Sequence, residues 1–237
     1  MTTSVAMMKV MEERGIHADV AAGLSLGEYC ALVAVGVMTA DDAIRTVRER
    51  GILMQEAVPA GVGGMSAVLG MTADEINAVV DEIPNVQVAN YNCPGQIVIS
   101  GLKEAVETAA VKLKEAGARR VIPLNVSGPF HSYLLEEAGE KLGKFLENIP
   151  VAEPVIPYVA NVTAAYVTKA EDVKPLLTRQ VSSSVRWQQS VETMLADGVD
   201  RFIEIGPGKT LAGFIRKINR EATVINIEKF EDLEKLN

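Results

Sequence analysis

The sequence predicts an α/β fold: a mainly parallel sheet with flanking helices, interrupted by a smaller inserted unit. Three observations predict it. Apolar runs of strand length alternate with stretches of helical periodicity, the pattern of a sheet covered by helices. Gly23-Leu24-Ser25-Leu26-Gly27 is a G-x-S-x-G turn joining an apolar run to a helix-like run. From Met65 the order becomes strand, helix, strand, strand, helix, strand, which is the ferredoxin-like βαββαβ split unit in about 60 residues. The expected division is a large catalytic part over residues 1–60 and 127–237 and a small subdomain over 61–126.

Taken in order, Thr3 to Arg14 carries Val5, Met8 and Met11 on one helical stripe, and Gly15 follows as a C-cap. Val20 to Ala22 is the strand before the turn, and Glu28 to Val35 the helix after it. Thr39-Ala40-Asp41-Asp42 starts a helix with acids in its first turn, continuing to about Ala57. Pro59 to Gly64 is a loop. The small unit reads Ser66–Leu69 strand, Ala73–Ile83 helix with a Thr72/Glu75 capping box, Val86–Asn90 strand, and Asn92–Gly95 turn. Gln96–Ser100 strand, Leu102–Ala116 helix and Arg120–Leu124 strand complete it. Beyond it, Tyr133–Asn148, Leu176–Val181, Val191–Asp197 and Leu211–Ile218 are helical. Val155–Val159, Arg201–Ile205 and Val224–Ile227 are strands.

Composition narrows the function. A chain of 237 residues with 48% hydrophobic and 23% charged residues can bury a sizeable core unaided. Only 5% aromatic residues and a net charge of −8 argue against nucleic-acid binding and against nonspecific binding to an anionic membrane. Cys30 and Cys93 have no C-x-x-C or metal spacing, and no leader pattern opens the chain, so a reduced, cytoplasmic protein is expected with no metal site.

The chemistry centres on Ser25. A strand reversing into a helix forces its turn residue into a strained conformation, which exposes the hydroxyl beside the free N–H groups of the helix start. A serine nucleophile needs a base, and the chain has two histidines, His17 and His131. Extended chain at about 3.3 Å per residue puts His17 roughly 20 Å from Ser25. His131 follows Ser127-Gly128-Pro129-Phe130, a loop able to reach the turn; a purely structural histidine is the alternative. Arg50 falls inside the apolar stripe of Ala43, Ile44, Val47, Gly51 and Met54 at about 100° per residue. A guanidinium there needs an anionic partner, either a substrate carboxylate or one of the 31 acidic residues. Gly208-Lys209-Thr210 ends like a phosphate loop, but Ile203 stands where that motif requires glycine, so a tight turn is expected instead.

Gly23-Leu-Ser-Leu-Gly-Glu-Tyr, Arg50-Gly-Ile-Leu-Met-Gln-Glu-Ala, Asn90-Tyr-Asn-Cys-Pro-Gly-Gln, Gly128-Pro-Phe-His-Ser, Gln180 to Trp187, and Glu204-Ile-Gly-Pro-Gly-Lys together resemble the malonyl-CoA:acyl-carrier-protein transacylases of fatty-acid synthesis. The resemblance implies Ser25 as nucleophile, His131 as base, Gln180 as the residue whose backbone carbonyl orients the histidine, and Leu26 as an oxyanion N–H donor. It implies Arg50 as the ligand of the malonyl carboxylate, Asn90 in the site (with Asn92 close by), and Phe130 as the residue that excludes an α-methyl group. No cofactor is implied, because phosphopantetheine is carried by the partner protein. The implied partners are malonyl-CoA and an acidic acyl carrier protein, met through a local basic patch at Arg216, Lys217 and Arg220 or at Arg119 and Arg120.

Two departures from the family pattern stand out. Leu24 replaces a histidine found in many members, and Met1 opens directly into a helix, without the family's first strand and Gly-Gln loop. That loop supplies an oxyanion N–H, so impaired activity is an expectation of the sequence. A non-catalytic carrier-binding remnant and a thioesterase-like hydrolase are the competing readings, and a buried Arg50 speaks against the hydrolase.

Overall fold

The structure, a computed structural model, describes residues 1–236. Helix α1 (Thr2–Glu13) leads to β1 (Ala21–Ala22), α2 (Leu26–Ala34) and α3 (Ala40–Glu56). Thr39 caps α3 by accepting from the Asp42 N–H, as the acids of its first turn suggest. Next come β2 (Gly63–Leu69), α4 (Ala73–Val80), β3 (Val86–Cys93), β4 (Gln96–Leu102), α5 (Lys103–Glu115) and β5 (Arg120–Pro123). Both halves of the Thr72/Glu75 capping box are formed. A 3₁₀ turn at Tyr133–Leu135 precedes α6 (Glu136–Glu147), splitting the single helix expected from Tyr133 to Asn148. Then follow β6 (Tyr158–Val159), β7 (Tyr166–Val167), α7 (Ala170–Gln180), α8 (Trp187–Ala196), β8 (Arg201–Ile205), α9 (Thr210–Ile218) and β9 (Thr223–Ile227). Strand β7 and a final 3₁₀ segment, Phe230–Leu236, carry no periodic signal long enough to be read from sequence.

Strands β2 to β5 form one antiparallel sheet in the order β3-β4-β2-β5. Its apolar face packs under α4 and α5 as a cluster drawn wholly from residues between Val68 and Val121, with Ile76, Ile99 and Leu113 fully buried. Elsewhere β1 pairs parallel with β6, β7 adds an antiparallel partner to β6, and β8 pairs parallel with β9. Among the described residues no ladder joins these two groups. Strand β1 is only two residues long because the chain leaves the sheet at Gly23. The main core lies between α2, α3, α6 and α7, around Tyr29, Leu32, Leu142, Leu146 and Leu177. No helix among the described residues is long and apolar enough to cross a membrane.

Edge strand β3 is neither regular nor open. Its pairing with β4 skips from Val88↔Ile99 to Asn90↔Val98, leaving Ala89 as a bulge. The shift of one residue moves Asn90 off the face shared by Val88 and Ile97 and onto the face of Val98. Chain from the end of α7 covers the edge: the Val185 N–H donates to the Ala89 carbonyl at 2.8 Å and the Tyr91 N–H to the Val185 carbonyl at 2.9 Å.

Helices α6 and α7 approach closely at Gly139. A Cβ on Gly139 would lie 2.7 Å from the Thr178 carbonyl oxygen, which is fixed backbone. Alanine would gain about 1 kcal/mol of helix propensity but lose about 1–3 kcal/mol to overpacking. Gly139→Ala should therefore lower the urea midpoint of unfolding, and a raised midpoint would refute this account of the α6–α7 contact.

Candidate active site

Ser25 sits between β1 and α2 with φ 52° and ψ −104°, a conformation an L-residue rarely adopts. Gly23 makes the turn possible, because a Cβ there would collide with the Gly27 carbonyl. Side chains hold the turn from outside: the Ser25 N–H donates to Asn161 Oδ1 at 2.6 Å, Asn161 Nδ2 to the Gly23 carbonyl at 2.7 Å, and Gln180 Nε2 to the Ser25 carbonyl at 3.0 Å.

The exposed hydroxyl meets two of the predicted residues. Ser25 Oγ lies 2.8 Å from His131 Nε2 and accepts from Arg50 Nη2 at 2.9 Å. His131 Nδ1 lies 2.9 Å from the Gln180 carbonyl oxygen, an acceptor only, so the proton belongs on Nδ1 and Nε2 faces the serine as a base. Burial, and after it the Arg50 charge, push the imidazole down to about 4, against the Gln180 bond, which raises it. The base is therefore neutral at physiological pH. His131 also has positive φ, 57°, and its carbonyl accepts from Gln87 Nε2 at 3.2 Å while Gln87 Oε1 takes the Tyr133 N–H at 3.0 Å. His17 is exposed on the loop after α1.

Arg50 is 6% exposed, and its guanidinium lies 5.8 Å from the centre of the Tyr29 ring. Burial lowers its pKa, and among the described residues it has no ion-pair partner. The internal salt bridge that sequence allowed is therefore not formed, and Arg50 Nε is buried without a hydrogen-bond partner. The Leu26 N–H opens α2 beside Ser25 and, among the described residues, makes no hydrogen bond.

A cavity of about 440 Å³ opens over Ser25, Arg50 and His131, walled by Met54, Met65, Val98 and Leu124. Phe130 and Asn90 line it, and Asn92 does not. Predicted residues Ser25, His131, Gln180, Leu26, Arg50, Asn90 and Phe130 thus converge on one place. Sequence reasoning missed Asn161, Glu28 and Gln87. Glu28 alone left a signal, a charged residue on the helix face that buries Tyr29 and Leu32. At the other end of the chain, Glu204 accepts from the Leu211 and Ala212 N–H groups at 3.0 and 2.7 Å, so the start of α9 is capped from within. That agrees with a turn and not a phosphate loop.

Comparison with known proteins follows the same outline. Residues 1–230 match the acyl transferase domain family. A malonyl CoA-acyl carrier protein transacylase of Bacillus subtilis (strain 168) is 48% identical over 238 residues, which is 99% of this chain and 75% of that protein. An acyl carrier protein S-malonyltransferase structure from Vibrio cholerae gives a TM-score of 0.97 at 41% identity, covering 99% of this chain and 78% of that one. A malonyl-transacylase solved in complex with a type II PKS acyl-carrier protein gives 0.95 at 41% identity, covering 98% and 77%.

The electrostatics make one direct prediction. His131 should titrate near pH 4 by NMR of its imidazole, and Arg50→Ala should move that titration upward by removing the neighbouring positive charge. The unfolded chain protonates this histidine near 6.5 and the fold resists down to about 4, so the contribution of His131 to stability is lost as pH falls across that window. An imidazole titrating at its ordinary value would sink this description of the site.

Proposed function

As the chain belongs to the acyl transferase domain family, we infer that it is an acyltransferase that moves a malonyl group from malonyl-CoA to the phosphopantetheine thiol of acyl carrier protein, in fatty-acid biosynthesis. The observation that carries the reading is one serine hydroxyl placed between a neutral histidine and a buried arginine with no acidic partner.

In the proposed mechanism Ser25 Oγ attacks the thioester carbonyl as its proton passes to His131 Nε2. Imidazolium forms while Nδ1–H stays bonded to the Gln180 carbonyl, a neutral acceptor that fixes ring and tautomer. The Leu26 N–H supports the oxyanion from the start of α2, where the helix dipole also favours negative charge. Collapse breaks the C–S bond, and His131 returns the proton to the departing CoA sulfur. His131 then accepts the proton of the carrier thiol, whose sulfur attacks the malonyl-serine ester; the C–O bond breaks and Ser25 regains its proton.

Arg50 gives the reaction its substrate. The malonyl group ends in a free carboxylate, and a desolvated guanidinium pairs with it strongly. Until substrate arrives, Arg50 donates to Ser25 Oγ. Phe130 and Asn90 complete the proposed pocket, with the Phe130 ring restricting groups on the α-carbon. A thioesterase would have no use for a buried arginine without an acidic partner, which favours the transferase.

The strand order β3-β4-β2-β5 and the separate core beneath α4 and α5 support reading residues 61–126 as a ferredoxin-like subdomain inserted in a larger α/β part. Arg216, Lys217 and Arg220 are exposed at the end of α9, which supports carrier docking there. Unpaired Cys30 and Cys93 support a reducing, cytoplasmic setting.

Incubation with malonyl-CoA should add the mass of one malonyl group, mapped to the Ser25 peptide. Ser25→Ala should abolish it, and His131→Ala should slow loading by about 10²- to 10⁴-fold. An adduct that persists in Ser25→Ala would end the assignment.

Selectivity tests Arg50. Arg50→Ala should cut kcat/KM for malonyl-CoA by about 10²-fold, the cost of a charge-assisted pair, with little loss for acetyl-CoA. An unchanged malonyl-to-acetyl ratio would return Arg50 to a structural role.

A further inference from the structure

Glu28 is the one acid of α2, three residues after Ser25, and only 1% of its surface is exposed. No cation lies within ion-pair distance of it among the described residues. Burial pushes its carboxyl up to about 7, although hydrogen bonds from Gln180 and Asn161 and the Arg50 charge act in the opposite direction. An unpaired buried acid is a poor way to stabilise a core. What explains it is the set of groups it accepts from.

Glu28 Oε2 takes Gln180 Nε2 at 2.7 Å and the Asn161 N–H at 3.2 Å. Both donors belong to residues that hold the reacting pair by other atoms. The Gln180 carbonyl is 2.9 Å from His131 Nδ1, and the same Gln180 Nε2 also reaches the Ser25 carbonyl. Asn161 takes the Ser25 N–H on its side-chain oxygen and ties its Nδ2 to Gly23. The Gln180 amide is oriented by this arrangement, since a flip would set Oε1 against a carbonyl oxygen and a carboxylate. Its Oε1 is buried without a partner, which is the cost of keeping Nε2 on both acceptors.

We propose that Glu28 is a positioning residue for acyl transfer: its carboxyl group binds Gln180 and Asn161 together and, through them, sets the His131 ring and the Ser25 turn without touching substrate. The inference rests on the assignment of Ser25 and His131 as nucleophile and base. The titratable groups around it are Tyr29 on its own helix, Arg50 of α3 and Tyr158 of β6, and burial raises both tyrosines well above their ordinary range. Both tyrosines therefore stay neutral, and only Arg50 contributes a fixed charge.

The test compares kcat, KM and pH profiles of Glu28→Asp, Glu28→Gln and Glu28→Ala, with Ser25→Ala and His131→Ala alongside and melting curves for all. Glu28→Asp keeps the carboxyl group but falls one methylene short, so kcat should drop about 10- to 100-fold while KM for malonyl-CoA stays within about twofold. Glu28→Gln keeps an oxygen at the right reach and should recover most of that loss, to within about threefold of the parent. Because the Gln180 carbonyl bond raises the His131 pKa, loosening it should move the acid limb of kcat/KM to lower pH in Glu28→Asp, and much less in Glu28→Gln. A loss of folded protein alone would scale the rate without moving that limb. Should Glu28→Ala fail to fold, the Asp and Gln variants decide. Parental kcat with an unmoved acid limb in Glu28→Asp overturns the proposal, as does a Glu28→Gln variant no better than Glu28→Asp. Transfer retained by Ser25→Ala or His131→Ala would overturn the underlying assignment and this inference with it.

Discussion

Ser25 is held at φ 52° and ψ −104°, and a sparsely populated backbone state of that kind costs about 1–3 kcal/mol. Such a turn persists only when its surroundings over-determine it. Here three of its backbone groups are engaged from distant parts of the chain: Asn161 takes the serine N–H and ties the Gly23 carbonyl, and Gln180 takes the serine carbonyl. Asn161 follows β6, the strand paired with β1, and Gln180 ends α7, which packs in the main core. The strained serine therefore depends on the whole of the larger part being folded. In return the strain points Oγ away from the backbone and at His131.

Two buried acid–base groups in this network are shifted in opposite senses. Glu28 binds its proton more tightly in the fold than in the unfolded chain, and His131 less tightly. Over the pH range between 4.5 and 6.5, protonation of Glu28 favours the native state while protonation of His131 opposes it. The two linkages offset each other, so mild acid disturbs the fold less than His131 alone would suggest. Arg50 keeps the remaining charge positive.

Much of this was legible in the sequence, and the rest was not for physical reasons. The G-x-S-x-G turn, the Thr72 capping box and the alternation of strand and helix are local signals carried by contiguous residues. Arg50 was legible because charge on an apolar helical stripe is conspicuous. Gln180 acts through its backbone carbonyl, which no side-chain pattern encodes, and only the resemblance pointed to it. Asn90 shows the limit most clearly. Strict alternation from Val88 would turn it toward the core beneath α4 and α5, and only the bulge at Ala89 brings it to the cavity. Asn161 was missed because its partners are more than a hundred residues away.

The antiparallel sheet that roofs the cavity is tied to neighbouring chain at two places. On one side Val185 is bonded to Ala89 and Tyr91 of β3. At the start of β2, Gly63 sits so close to Pro129 that a Cβ there would collide with the proline ring. The edge that carries Asn90 is anchored through Val185 to the chain that follows Gln180, so the roof and the reacting pair share one support. A shift of the short run from Gln180 to Val185 would therefore disturb the base and the pocket wall at once.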